Sequence, residues 1–188
     1  MIASISDQVK AMAERYPALK PEVSDNACLW RGPLKPASKS YDLRIAYQVP
    51  QVPTRFHVRH CQPRVQVFNP ILERHPEYEE GPIPHIYTSR NEPDYPILCL
   101  FDPYGGEWCI DDLLVDTTLP WTERWLLNYE YWLATGLWKG GGRHVVSPSQ
   151  APKTLSAGDD SPVRTVSPFM RALSWTTSEH AYDRVGRQ

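Results

Sequence analysis

An α+β fold built on one antiparallel sheet is predicted by three observations in this 188-residue chain. A helical period near the N-terminus gives way to a two-residue period from about Ala27, and a second helical period, rich in tryptophan, begins at Pro120. Apolar residues recurring at i, i+3, i+4 and i+7 line one face of a helix, whereas strict alternation lines one face of a strand. The nineteen prolines, about twice the usual share, gather between these periodic stretches and confine long helices to the places without interior proline.

The first helix is expected from about Ser6 to Tyr16. Ser4 or Ser6 supplies the cap, Val9, Met12, Ala13 and Tyr16 form one apolar face, and Pro17 stops it. Strands follow at Cys28–Gly32, Tyr41–Tyr47 and Arg64–Phe68, with Pro50, Pro53 and Pro63 at the joins. In the second strand Tyr41, Leu43, Ile45 and Tyr47 alternate with Asp42, Arg44 and Ala46, which gives one buried and one wet face. A short strand at His85–Tyr87, after a polar loop from Glu73 to Pro84, completes a four-stranded antiparallel meander. The cysteine-bearing run Pro96–Trp108 comes next, and then C-terminal helices. Pro120 opens the main helix, on which Trp121, Trp125, Tyr129 and Trp132 recur about every four residues, and Gly136 and Gly140–Gly142 mark the turns after it. Residues 147–188 are rich in Ser, Pro, Thr and Arg and lack a period. They read as a partly disordered tail with an apolar island at Phe169, Met170, Leu173 and Trp175, which leaves residues 1–146 as the domain.

Composition narrows the function. A formal net charge of −2 supplies no basic footprint for nucleic acid or an anionic membrane surface. No apolar run approaches the roughly 18 residues that span a bilayer, and the first twenty residues lack a basic-then-apolar leader, so a cytoplasmic protein is expected. Cys28, Cys61, Cys99 and Cys109 show neither Cys-x-x-Cys spacing nor a paired-histidine motif, so no metal or cofactor is expected, and the thiols should be reduced. Gly140–Gly142 lacks the strand, Lys and Ser/Thr of a phosphate-binding loop.

Cys99 is the candidate nucleophile. It lies between Leu98 and Leu100 and is followed by the Asp102-Pro103-Tyr104-Gly105-Gly106 turn and by Trp108. A cysteine between leucines is ordinarily a packing residue. A strand that ends in a Pro/Gly turn instead leaves room above the sulfur, and a thiolate both attacks and departs readily in acyl transfer. An amide such as that of Asn91, placed beside the sulfur, stabilises a tetrahedral oxyanion by about 3 kcal/mol. Asp102, Asp111, Asp112 and His85 are the groups available to take a proton from an incoming amine. A cysteine hydrolase with His85 or His144 as base, and a binding module with an inert thiol, remain alternative readings.

This order of elements resembles the ubiquitin-conjugating (UBC) fold in three pieces. Pro63-Arg64-Val65-Gln66-Val67-Phe68 is similar to the family's Pro-x-Val-x-Phe strand within the meander of Tyr41 to Phe68. Ile86-Tyr87 with Asn91, eight residues before Cys99, is similar to its Ile-Tyr-His-Pro-Asn motif, with Thr88, Ser89 and Arg90 standing where His-Pro is expected. Leu98-Cys99-Leu100, Trp108 nine residues on, and Leu113-Leu114 resemble its active-cysteine segment. Within the family the chain looks most like the stand-alone bacterial members of CBASS anti-phage operons. It shares with them His85–Tyr87, Leu98–Pro103, Leu119-Pro120-Trp121 through Trp132, Thr135-Gly136, Trp138 and Gly140-Gly141-Gly142-x-His144. The resemblance implies Cys99 as the thioester carrier and matches Asn91 to the motif asparagine; the candidate catalytic set is Cys99, Asn91 and His85, with Asp102, Trp108, Asp111 and Asp112 as candidate substrate-positioning residues. The resemblance also implies a cGAS-like nucleotidyltransferase as partner, its C-terminus held as a thioester on Cys99 and passed to an amine. The chain is too short to add an adenylating domain to this fold, so either something else activates the acyl group or the thioester forms from a peptide directly.

Overall fold

The computed structural model describes residues 2–49, 62–78, 81–89, 91–103 and 105–141. Among these, α1 (Ile5–Arg15) is followed by β1 (Lys20–Val23), β2 (Ala27–Leu34), β3 (Tyr41–Gln48), β4 (Arg64–Asn69), β5 (Ile86–Tyr87), β6 (Ile97–Leu98) and α2 (Thr118–Thr135). Cys61, His144 and the 147–188 segment with its apolar island lie outside the described residues.

A capping box starts α1. The Ser4 hydroxyl accepts the Asp7 N–H at 3.1 Å and the Asp7 carboxylate accepts the Ser4 N–H at 3.0 Å, which satisfies two donors with no acceptor inside the helix. The hydrogen bond from Ser4 is the main reason that the Asp7 carboxyl titrates below its usual range. The helix buries Ile5, Gln8 and Met12, and Val9 and Tyr16 pack half-buried against the same core, so of the expected apolar stripe only Ala13 is exposed and the inner face also includes a polar residue. Gln8 donates to the Asp112 carbonyl at 2.8 Å and accepts the Leu114 N–H at 2.9 Å, which fixes α1 to the segment that follows the cysteine run.

The sheet has six strands, not four, all antiparallel and ordered β1-β2-β3-β4-β6-β5. β1 is fully exposed along its length and shows no alternation, so periodicity does not reveal it; it forms because the tight turn at Ser24 returns the chain onto β2, with the Ser24 N–H on the Ala27 carbonyl at 2.9 Å. His85–Tyr87 does not lie beside the Arg64 strand as a simple meander requires. β6 inserts between them, pairing Gln66 with Ile97 on one side and Leu98 with Ile86 on the other.

One face of the sheet carries Cys28, Trp30, Tyr41, Leu43, Ile45, Tyr47, Val65 and Val67 into the core, where Leu119, Leu126 and Trp132 of α2 are also buried. Among the described residues α2 is the sole helix after the cysteine run. Pro120 is its third residue, not its first, and is tolerated because first-turn N–H groups have no partner within the helix. Gly136 closes α2 in the left-handed conformation, φ 73°, with its N–H on the Trp132 carbonyl at 2.8 Å.

Candidate functional site

The β5–β6 hairpin sets the site by strand parity. Ile86 and Leu98 face each other and are buried, while Tyr87, Ile97 and Cys99 are half-buried on the opposite face. Extending the register by one pair puts Cys99 across from His85, and the Cys99 N–H donates to the His85 carbonyl at 2.9 Å. Tyr87 pairs with Ile97, so Cys99 is its diagonal neighbour on the same face, a separation that aromatic side chains reach. The Cys99 thiol donates to the Tyr87 hydroxyl at 3.1 Å. Leucine flanks therefore do not bury this sulfur: Leu98 takes the core position, and Cys99 takes the outward one.

His85 adopts φ 49°, in the left-handed region that is sparsely used by residues other than glycine. Its carbonyl thereby receives two donors, the Cys99 N–H and the Trp125 indole N–H at 3.0 Å, so α2 and β6 meet on one oxygen. The His85 ring stacks on Trp138, with centroids 5.3 Å apart, and Trp138 in turn lies 5.5 Å from Trp125. Gly140 is held closely against this turn: a Cβ there would fall 2.5 Å from the Trp138 Nε1 atom and 2.8 Å from the Asn128 amide.

A polar network anchors the loop between β5 and β6. Along one row of the outer face Arg44 pairs with Gln66, and Gln66 with Ile97. The Arg44 guanidinium donates to the Gln66 side-chain Oε1 at 2.6 Å, stacks over Phe68 at 4.6 Å, and forms an ion pair with Glu92. The Gln66 amide donates to the Tyr95 carbonyl at 2.6 Å, and Tyr95 stacks on Phe68 at 4.3 Å. Hydrogen bonding from Arg44 is the first cause of a Glu92 pKa below the usual range. Residues 92–95 are thus tied to the sheet, and neighbouring Asn91 is exposed on the bend that opens the loop.

The other expected residues occupy distinct settings. Asp102, half-buried, donates its backbone N–H to the Glu107 carboxylate at 3.0 Å, and its carbonyl accepts the Gly105 N–H at 3.0 Å, closing the turn after Cys99. Trp108 is 2% exposed, packed edge-on to Tyr47 and against Phe101, so it bears on the site by holding the segment downstream of Cys99. Asp112 caps the next turn, its carboxylate accepting the Cys109 N–H at 2.8 Å, and Asp111 is exposed. Cys99 and the His85 carbonyl are in direct contact, whereas Trp108 and Asp112 are built into the packing and turns behind the site. Sequence reasoning passed over Tyr87, Gln8 and the Arg44–Gln66–Glu92 set. Tyr87 was legible in principle, because once Ile86 is matched to Leu98 its ring must share a face with Cys99.

Among the described residues no group of three His, Cys, Asp or Glu side chains is placed to hold a metal ion, and no helix is long and apolar enough to cross a membrane. An α+β chain of this order, with an outward-facing cysteine at the end of a sheet backed by a helix, has the features of an E2-like conjugating protein. Residues 8–145 match the family described as type II CBASS E2 protein, and the chain belongs to that family. It is an E2-like protein of CBASS anti-phage defence. The chain matches no curated protein at a significant level.

Proposed function

We propose that Cys99 carries the C-terminal acyl group of a partner, a cGAS-like nucleotidyltransferase, as a thioester and passes it to an amine, regulating CBASS signalling in the bacterial cytoplasm. Residues 1–146 form the conjugating unit in this reading. The observation that carries it is the outward placement of the Cys99 sulfur at the end of β6, its backbone pinned by the His85 carbonyl.

The chemistry has two transfers. The Cys99 thiol gives its proton to solvent and attacks the carbonyl carbon of the partner's C-terminal acyl group; the new Sγ–C bond forms as the bond from that carbon to its leaving group breaks, and the leaving group departs with the electron pair. A primary amine then attacks the same carbon, the Sγ–C bond breaks, an amide forms, and the amine's proton passes to solvent or to a nearby carboxylate. Asn91 is the proposed oxyanion donor, which requires its exposed amide to swing over the acyl group on Cys99. Asp102, Asp111, Asp112 and His85 are the candidates to ease deprotonation of the amine, and Trp108 holds the segment that carries Asp102.

The test is co-expression with the partner nucleotidyltransferase, followed by gels with and without a thiol reductant. A reductant-sensitive adduct that is absent in Cys99→Ala and becomes reductant-resistant in Cys99→Ser supports the proposal. Cleaved free substrate points to a cysteine hydrolase, and a stable non-covalent complex without adduct points to a binding module; either outcome overturns it.

A further inference from the structure

We infer that Tyr87 is a catalytic residue of the same site, its hydroxyl serving as the hydrogen-bond donor to the Cys99 sulfur whenever that sulfur carries negative charge. The inference rests on the acyl-transfer reading for its role in turnover, but the contact itself belongs to the free protein. In the resting state the thiol donates to the phenol oxygen at 3.1 Å, a weak interaction because S–H is a poor donor. Once the thiol has lost its proton to solvent, the same pair reverses: the phenol O–H donates to the thiolate, and hydrogen bonds to charged groups are roughly twice as strong as neutral ones. The hydroxyl therefore favours the ionised sulfur over the neutral one. It acts where charge sits on sulfur, before the Sγ–C bond forms and again as that bond breaks toward the amine; relative to the resting thiol it speeds the attack at pH values where the sulfur is mostly protonated, and it speeds departure of the thiolate.

Geometry supports this assignment over chance proximity. Tyr87 lies on a strand, its partner Ile97 is fixed by register, and Cys99 is the diagonal neighbour on the same face, so no loop movement is needed to bring oxygen to sulfur. The Cys99 backbone is held independently by the His85 carbonyl, which Trp125 also grips. His85 and Asp102 are the other ionisable residues of the two segments that meet at Cys99, and the measurements are repeated in His85→Ala and Asp102→Asn to separate their fields from the hydroxyl's.

The experiment is the pH profile of iodoacetamide alkylation at Cys99, read by peptide mass so that other cysteines do not contribute, in the wild-type chain and Tyr87→Phe. Losing a hydrogen bond to a charged group raises the pH of half-maximal reaction by roughly one unit. A more basic thiolate is also more nucleophilic, so Tyr87→Phe is expected to react roughly threefold more slowly below the midpoint and roughly threefold faster on the alkaline plateau. Crossing profiles are the signature, because loosened structure alone moves reactivity in one direction at every pH. Superimposed or parallel profiles overturn the inference.

A second measurement leaves Tyr87 in place. Its ring carbon bearing the hydroxyl, labelled with 13C, should shift at the pH where Cys99 alkylation is half-maximal, and that step should vanish in Cys99→Ala; a step that persists, or none in the wild-type chain, refutes the coupling. Both readouts use the free protein. Crossing profiles without any thioester in the gel assay would therefore sink the acyl-transfer reading and leave the Tyr87–Cys99 pair standing.

Discussion

Cys28 and Cys99 look alike in sequence, each within a strand-forming stretch and each next to leucine, yet the fold gives them opposite surroundings. Cys28 lies on the inner face of β2, 3% exposed and paired across to Tyr47, and burial is the first cause that pushes its thiol up to about 11. Cys99 lies on the outer face of the β5–β6 hairpin, half-buried, its N–H on the His85 carbonyl and its thiol on the Tyr87 hydroxyl. Both sulfurs meet hydrogen-bond partners, Cys28 the backbone at Glu22 and Leu29 and Cys99 the Tyr87 hydroxyl, but only Cys28 is buried in the core. Burial of the two cysteines is thus decided by strand parity, which a window of neighbouring residues does not report.

The largest separation should appear in alkylation. At pH 8 the native chain is expected to modify Cys28 on the order of a hundredfold more slowly than an ordinary exposed thiol, since a thiol at about 11 against a usual 9.0 holds far less thiolate and is also shielded. Timed iodoacetamide labelling with mass mapping reads this, and equal labelling of Cys28 and Cys99 would break the contrast.

A smaller effect is expected from substitution on the core side. Cys28→Ser puts a hydroxyl in the buried place of the thiol, where the backbone at Glu22 and Leu29 already offers hydrogen bonds, and should cost about 1 kcal/mol by urea unfolding, while leaving adduct formation at Cys99 intact. The same thiol predicts a pH dependence. Its folded value is above its unfolded one, so the stabilisation from staying protonated is full below about pH 8.5 and is lost as pH rises through about 11. Cys28→Ala should lack that part of the alkaline loss, the remainder coming from groups such as Tyr129, which burial raises to about 12. Identical alkaline curves would show that Cys28 does not contribute.

On the site side, Trp125→Phe removes one of two donors from the His85 carbonyl and should cost about 1 kcal/mol. Its more telling readout is amide exchange, which should quicken at Cys99 more than at Cys28. A uniform change at both would mean that the indole matters only to packing.

Much of this architecture could be read from the chain because periodicity encodes it. The alternation from Tyr41 to Tyr47 became β3 with the expected buried set, and the aromatic stripe of Trp125, Tyr129 and Trp132 became the buried face of α2. What escaped reading lacks a period. β1 is exposed throughout, β5 and β6 are two residues each, and their order in the sheet follows from hydrogen bonding between distant segments. Gln8 was invisible for a related reason: a glutamine on the inner face of a helix makes sense only when the Asp112 carbonyl and Leu114 N–H are known to meet it. At the site, the candidate Cys99 was legible from the resemblance and from the Pro/Gly turn after it, whereas its contact with the His85 carbonyl required the β5–β6 register. Tyr87 required the register, and the Arg44–Gln66–Glu92 anchor required three segments that are far apart in the chain.

The central claim is that residue 99 is the acyl carrier. Its most direct measurement is tandem mass spectrometry of the adduct trapped in Cys99→Ser after co-expression with the partner nucleotidyltransferase. The account predicts one oxyester, located at position 99 and joined to the partner's C-terminal residue. An adduct mapped to another residue, or one that forms equally in Cys99→Ala, would contradict it.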